Sequence, residues 1–206
     1  MPRPNRVDPF GEIHTVPQRG TFMGNRGNLH SATGEILRSY KRKQWVTCLL
    51  EYRGRHRQIM EPGGYTELFF LDEATSLAAG HRPCGTCRRE ALERFRSCWA
   101  RSSGELSSQA VDLKRIDAVL HSQRLHREYE QIHLLDLPDG VFVCRNTEDG
   151  RVYLWWRGKL LEWSFDGYRN SPIIGDSTNV HLITPTCLVG VLKAGYPVSV
   201  HKSAEA

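Results

Sequence analysis

The sequence lacks the segments that would assign it to several broad classes of protein. Its apolar runs stay far below the roughly 18 residues that a membrane-spanning helix requires. No apolar stretch within residues 1–14 can serve as the core of a signal peptide, so we expect a cytoplasmic protein with no membrane partner. Internal repeats and low-complexity tracts are also missing. With 39% hydrophobic and 25% charged residues, the composition is that of a globular protein.

Signatures of the common enzyme classes are missing as well. There is no GxSxG, HExxH, phosphate-binding loop or dinucleotide fingerprint. His121 and His126 lie five residues apart on an expected helix, so they do not share a face, and we expect solvated histidines rather than a metal pair. Cysteine is limited to six residues, which in a reducing cytoplasm are expected to be thiols or metal ligands rather than a disulfide framework.

The pattern of apolar residues predicts an α+β protein. The start of the chain has little periodicity and several prolines, which indicates an irregular arm over residues 1–21. WVTCLLEY at 45–52, a turn, and QIM at 58–60 together favour a β-hairpin, and YTELFF at 65–70 is typical of a further strand.

Helices are expected after these strands. Asp72 is placed as the N-cap of a short helix that Gly80 ends, and a second helix starts near Arg88. A long amphipathic pattern follows over about 108–132, and the remainder is turn-punctuated β-structure closing with a short helix. The expected parts are an irregular arm at 1–21, a zinc-clasped β-hairpin with short helices at 22–100, a linking helix at 101–136, and a C-terminal antiparallel sheet or small barrel at 137–206.

Two cysteines three positions apart stand out in AAGHRPCGTCRRE, residues 78–90. Cys84 and Cys87 lie between a proline turn and a helix start, and two thiolates at this spacing can bind one Zn²⁺ from a single tight turn. A redox pair of the thioredoxin type would follow a β-strand, whereas here a helix is expected first. Redox chemistry and plain packing stay open, but metal binding fits this position best.

The segment FFLDEATSLAAGHRPCGTCRR, residues 69–89, resembles the end of the metal-binding domain of the Ada DNA alkylation-response proteins. It is also similar to the related zinc module appended to some bacterial nucleases. The segment MGNRGNLH at 23–30 resembles the stretch with which those nuclease modules open. Around YTELFFLDEA and GHRPC the whole chain looks like an uncharacterised bacterial family. The resemblance implies a zinc cofactor and an association with nucleic acid or DNA repair.

Carried over residue by residue, the resemblance makes Cys84 and Cys87 the second of two ligand pairs. Cys48 is the one cysteine upstream, so the first pair is incomplete and methyl transfer to a zinc-bound cysteine is not implied. Cys48 is either a third ligand or a core residue of its strand. The candidates for the fourth ligand are His30 first, which is otherwise a turn histidine, and then His56 and His81.

Positive charge is concentrated near these cysteines. Lys and Arg exceed Asp and Glu by 28 to 23, for a net charge of +5, and residues 38–57 are rich in cations with Glu51 as their one acid. Such a surface attracts phosphate, although solvated strand ends would have the same composition. The arginines near the cysteines can also stabilise thiolate charge. The predicted nucleic-acid contacts are Arg53, Arg55, Arg57, Arg82 and Arg88.

Three functions fit these features. The first is a zinc-binding module that binds DNA or RNA or accompanies DNA repair. The second is a metal-dependent enzyme of unrecognised type, and the third is an interaction domain in which zinc only stabilises the fold. Affinity that falls steeply with salt would favour the first, and an open coordination position would favour the second.

Overall fold

A computed structural model describes residues 1–54, 58–105, 111–148, 150–172 and 179–205. Within these ranges the chain forms twelve β-strands and four α-helices, which confirms the predicted α+β class. The strands build two six-stranded sheets, one mixed and one antiparallel. No helix in these ranges combines the length and the apolar character needed to cross a membrane.

The first sheet gathers the N-terminal half of the chain. Its members are β1 Pro4–Val7, β2 Ile13–Thr15, β3 Phe22–Asn25, β4 Val46–Cys48, β5 Leu68–Phe70 and β6 Arg82–Pro83, in the order β2-β1-β5-β3-β4-β6. The pairs β1–β5 and β4–β6 are parallel, and the others are antiparallel. The neighbouring positions of β4 and β6 bring the end of β4 beside the turn that follows β6.

The predicted hairpin of 45–52 with 58–60 is wrong. Residues 58–60 form no strand, and β4 instead pairs with β3, where Met23 lies opposite Cys48. The chain turns back at Arg53, whose φ of 53° is unfavourable in a strand. A local pattern predicts that a strand exists, but its partner is chosen by long-range packing.

The predicted irregular arm at 1–21 is also wrong in part, because this segment supplies two strands of the sheet. In β1, Val7 lies opposite Ile13 of β2 and is fully buried. It packs in a small core with Leu29, Leu68 and Phe70. The pairing with β5 is long-range, so the prolines and weak periodicity of this segment did not reveal it.

Four α-helices pack between and beside the sheets: α1 Glu73–Ala78, α2 Arg89–Ser103, α3 Leu113–Leu125 and α4 Thr186–Lys193. Asp72 caps α1 as predicted, accepting a 2.8 Å hydrogen bond from the Thr75 amide, and Gly80 follows the helix with a φ of 82°. α3 is shorter than the expected 108–132, because Gln131–His133 pairs in the second sheet.

Within the described residues the second sheet is antiparallel and open, with edge strands β11 and β7, and does not close into the small barrel that was the alternative. Val141 and Val143 of β8 face the core formed with the helices, while Phe142 and Cys144 belong to a second core. One core thus joins the helices to this sheet. The strands are β7 Gln131–His133, β8 Val141–Cys144, β9 Tyr153–Trp156, β10 Lys159–Ser164, β11 Gly167–Ser171 and β12 Asn179–Leu182, in the order β11-β10-β9-β8-β12-β7.

Candidate metal centre

Cys48, Cys84 and Cys87 form a cluster in which the three sulfur atoms all lie within 4.8 Å of one another. Cys48 ends β4, while Cys84 and Cys87 lie in the turn between β6 and α2. The parallel pairing of β4 with β6 places these segments side by side, and the Cys84 amide donates a 2.9 Å hydrogen bond to the Thr47 carbonyl. Three of the four predicted ligands therefore meet at one place.

The cluster has the chemistry of a metal site. In a tetrahedral zinc site with Zn–S bonds of about 2.3 Å, the sulfur atoms are about 3.8 Å apart, which agrees with this spacing. The three residues are half-buried, and none of the described cysteines forms a disulfide. Hydrogen bonds from Cys48 and Cys87 lower the pKa of Cys84, whereas the bond to Cys84 raises the pKa of Cys48. The lowered pKa favours the thiolate form of Cys84, which is the form that binds a metal.

His30, the predicted fourth ligand, does not join the cluster. Its Nδ1 lies 2.6 Å from Thr66 Oγ1, and its Nε2 lies 3.2 Å from the Glu61 carbonyl oxygen. Both ring nitrogens are therefore used to hold the segment 61–66 against the sheet, and the residue is buried there. The predicted ligand His30 is therefore engaged by Thr66 and Glu61 and is not grouped with the three cysteines.

The other histidine candidates do not complete the site in the described structure. His81 is fully buried, with Nε2 accepting a 2.9 Å hydrogen bond from Arg26 Nε and Nδ1 lying 3.1 Å from the Val46 carbonyl oxygen. His56 lies outside the described residues. Among those residues, no further His, Cys, Asp or Glu belongs to the cysteine cluster.

Two of the arginines predicted to contact nucleic acid are internal. Arg82 is 1% exposed and forms a two-pronged ion pair with Asp117, with both hydrogen bonds 2.8 Å long. Arg88 donates a 2.6 Å hydrogen bond to Glu73 Oε1, which lies inside the fold. Each of these two guanidiniums is therefore paired with a buried carboxylate, which leaves it no role as a surface cation. Arg53 is exposed beside Tyr52, and Arg55 and Arg57 lie outside the described residues.

The cysteine cluster lines a cleft of about 760 Å³. Its described side-chain cations are Arg3, Arg6 and Arg19. The sequence does not single them out, because only the long-range pairing of β1 with β5 brings the N-terminal segment to this cleft. The guanidinium of Arg6 lies 4.9 Å from the centre of the Phe69 ring. Other lining side chains are Tyr52 and Tyr65, together with the exposed apolar residues Leu49, Leu50 and Ile59. The cleft therefore combines cations, aromatic faces and thiol ligands.

No protein-family model, curated protein or solved structure matches the chain. The geometry of the cluster and its cleft therefore carries the functional interpretation, and the resemblance to the Ada metal-binding domain stays a prediction.

Proposed function

We propose that Cys48, Cys84 and Cys87 bind one Zn²⁺ beside a cleft that binds single-stranded nucleic acid. The observation that carries the proposal is the meeting of the three sulfurs within 4.8 Å in a cleft lined by arginines and aromatic rings. Thiolates are soft ligands and tetrahedral sulfur sites are typical of zinc, which supports this ion over harder cations such as Mg²⁺. The likeness of residues 69–89 to the Ada metal-binding domain points the same way.

The composition of the cleft supports a nucleic-acid strand as the occupant. Proteins that bind single strands without reading their sequence combine a positive groove with aromatic side chains on which the bases stack. Arg3 and Arg19 are exposed at this cleft, and Tyr52 and Phe69 line it half-buried. A duplex would present no free base faces to these rings, so a single strand fits better.

A specific observation favours metal-dependent catalysis as a second candidate. A catalytic zinc has three protein ligands and keeps the fourth position for water, whereas a structural zinc has four. The described residues supply three ligands, and these line a cleft. Glu67 lines the same cleft, is 5% exposed and accepts a 2.7 Å hydrogen bond from the Met60 amide. Its carboxylate is the candidate general base for a zinc-bound water.

A gel-retardation series with a labelled single strand tests the nucleic-acid proposal. We expect the double variant Arg3→Gln and Arg19→Gln to bind more weakly, with the slope of log affinity against log salt reduced by about one per lost phosphate contact. The matched control is Arg89→Gln with Arg94→Gln, which removes the same charge from the exposed face of α2. Absence of retardation of the wild-type protein at low salt, or equal weakening in both double variants, would contradict the proposal.

Cobalt substitution distinguishes the two candidates. Co²⁺ in the three-cysteine site gives visible absorption that depends on its coordination, so added azide changes the spectrum if the fourth position exchanges. An azide-sensitive spectrum would favour the enzyme, with Glu67→Gln as the variant that keeps the metal and loses turnover. A spectrum that azide leaves unchanged would favour a closed, structural centre.

A further inference from the structure

A second cleft, of about 550 Å³, lies between the first sheet and α3 and shares no lining residue with the cysteine cleft. Four arginines line it. Arg38 is exposed, whereas three are at least partly buried: Arg26 after β3, Arg124 near the end of α3, and Arg127 just beyond that helix. Apolar side chains of Ile13 and Ile36 form part of the remaining wall. We call it the arginine cleft.

Arg26 is fully buried, yet its guanidinium is only partly satisfied. Its Nε donates to His81 at 2.9 Å and its Nη1 to the Gly11 carbonyl oxygen at 2.9 Å. Nη2 is buried and has no hydrogen-bond partner among the described residues. A buried charged donor left without a partner is costly, so native structures normally supply an acceptor.

The other two arginines repeat this arrangement. Arg124 donates from Nε to the Gly80 carbonyl and from Nη1 to the Lys43 carbonyl, each at 3.0 Å, while Nη2 is buried without a described partner. Arg127 donates from Nη2 to the Ala78 carbonyl at 3.0 Å, while Nη1 is buried without one. Backbone carbonyls position these groups but do not neutralise them. Each of the three arginines therefore retains one buried, unused N–H donor group.

Carboxylates lie near these three arginines but are not paired with them. No acidic side chain within the described ranges forms an ion pair with any of the three arginines. Asp8 favours the charged form of Arg26 and Arg127, but it already lies 2.7 Å from His14 Nε2. The exposed Glu12, which lines the cleft, also favours the charged form of Arg127, and Asp117 favours that of Arg124 while paired with Arg82. Burial, reinforced by Arg124 and Arg127, lowers the pKa of Arg26. Arg82 and Arg88 each form an ion pair with a carboxylate, whereas none of these three arginines does so within the described residues.

Aromatic side chains hold the arginines in place. The guanidinium carbons of Arg26 and Arg124 lie 3.9 and 4.2 Å from the centre of the Trp45 ring. His121, which we expected to be solvated, is buried against Tyr40, with ring centres 4.9 Å apart, and its Nδ1 has no described partner. Cation–π stacking onto a fixed ring orients the guanidinium planes before any ligand arrives.

The chemistry of the missing anion follows from these groups. A guanidinium matches the oxygens of phosphate in a planar fork, and a phosphate monoester offers three terminal oxygens to three donors. The cleft volume of about 550 Å³ lies in the range of small-molecule sites and exceeds the space a bare phosphate needs. Tyr40 and the apolar wall can enclose an organic group. We propose that the arginine cleft binds the phosphate monoester group of a ligand with an apolar or aromatic moiety.

Phenyl phosphate and inorganic phosphate are suitable probes in a thermal-unfolding titration. A ligand that binds the folded state raises the melting temperature with its concentration, so we expect a rise with phenyl phosphate that exceeds the rise with inorganic phosphate. Arg127→Gln should abolish the rise, whereas Arg94→Gln on the exposed face of α2 should keep it. If Arg127→Gln does not fold, Arg124→Lys replaces it, because lysine keeps the charge and loses the fork.

Tryptophan fluorescence adds a readout at the site itself. Phosphate near Arg26 and Arg124 should change the emission of Trp45, and Trp45→Phe should remove that change. No stabilisation beyond that of sodium chloride at equal ionic strength, or equal stabilisation of Arg127→Gln and wild type, would overturn the proposal. Retention of phosphate binding in Cys84→Ser is expected, because this cleft is separate from the metal centre.

The phosphate monoester can come from a small molecule or from the 5′ end of a nucleic acid. A nucleoside monophosphate that competes with phenyl phosphate identifies the first source. A 5′-phosphorylated oligonucleotide that competes, while its unphosphorylated counterpart does not, identifies the second. Failure of both to compete with bound phenyl phosphate would overturn the assignment of a monoester site.

Discussion

Arg82 of β6 and Asp117 of α3 are joined by two hydrogen bonds of 2.8 Å inside the protein. β6 leads directly into Cys84, so this ion pair ties the metal-binding turn to a helix that begins about 30 residues later in the chain. Arg82 is 1% exposed, so solvent cannot hydrogen-bond to its guanidinium in place of Asp117. The Arg82 guanidinium, which the sequence predicts to contact nucleic acid, is therefore held inside the fold next to the metal-binding turn.

Replacing Asp117 tests this link. Asp117→Asn leaves the buried Arg82 charge without its carboxylate, and breaking a buried pair in this way costs about 3–5 kcal/mol. We expect a lower urea midpoint and weaker zinc binding. Asp136→Asn, a change at an exposed acid, should alter the free energy of unfolding by less than about 0.5 kcal/mol. Equal midpoints for the two variants would show that the ion pair does not hold the turn.

Metal analysis of purified protein tests the cysteine cluster. We expect about one zinc per chain, bound as thiolates by the three clustered cysteines. Cys84→Ser should release the ion and lower the melting temperature, whereas Cys187→Ser, at a half-buried cysteine outside the cluster, should keep it. Full zinc occupancy in the double variant Cys84→Ser and Cys87→Ser would place the metal elsewhere.

Replacing Arg88 tests whether this arginine has a structural role or binds phosphate like the arginines of the cysteine cleft. Its carboxylate partner Glu73 also accepts hydrogen bonds from Tyr196 and Ser199, so Arg88→Gln disturbs a junction between α1 and the C-terminal segment. We expect a loss of about 3 kcal/mol in unfolding free energy, because the Glu73 charge stays buried. The salt slope for nucleic-acid binding should not change. If the slope of log affinity against log salt fell by about one while the stability stayed unchanged, Arg88 would be a phosphate contact after all.

Local features of the fold could be predicted from the sequence, because neighbouring residues determine them. The cap at Asp72, the stop at Gly80 and the start of α2 near Arg88 all depend on residues within a few positions of one another. The meeting of Cys84 and Cys87 is likewise local. For Cys48 the sequence allows either a metal ligand or a core residue, because only the long-range pairing of β4 with β6 brings it beside Cys84 and Cys87.

The errors concern relationships that no local pattern contains. The buried state of Arg82 depends on Asp117, 35 residues away, so its charge alone indicated solvent. His30 follows turn residues, but its partner Thr66 lies 36 residues later in the chain, beyond β4. Charged residues are rarely buried unless paired, and the pairing partner of each arginine is set by the tertiary fold. The arginine cleft could not be predicted from the sequence either, because its arginines come together only in the tertiary fold.

The pH dependence of stability tests the buried state of His81. Burial, and then the nearby charge of Arg26, hold the pKa of His81 well below its usual value of 6.5. Below pH 6.5 the unfolded chain therefore binds a proton at this residue that the folded protein does not. Stability supplied by the neutral histidine is present above pH 6.5 and is lost as the pH falls, by up to about 1.4 kcal/mol per pH unit. The lowered pKa of His121 acts in the same direction.

Urea unfolding at pH 7.5, 6.5 and 5.5 measures this contribution. His81→Gln removes the titrating group, so we expect lower stability at pH 7.5 but a smaller loss between pH 6.5 and 5.5 than in the wild type. The matched control is His126→Gln, at an exposed histidine just past α3, which should keep the wild-type slope. Release of zinc in acid affects both variants alike, so the difference between their slopes isolates His81. Parallel slopes would mean that His81 is protonated in the folded protein, and its acceptance of the Arg26 hydrogen bond would then be wrong.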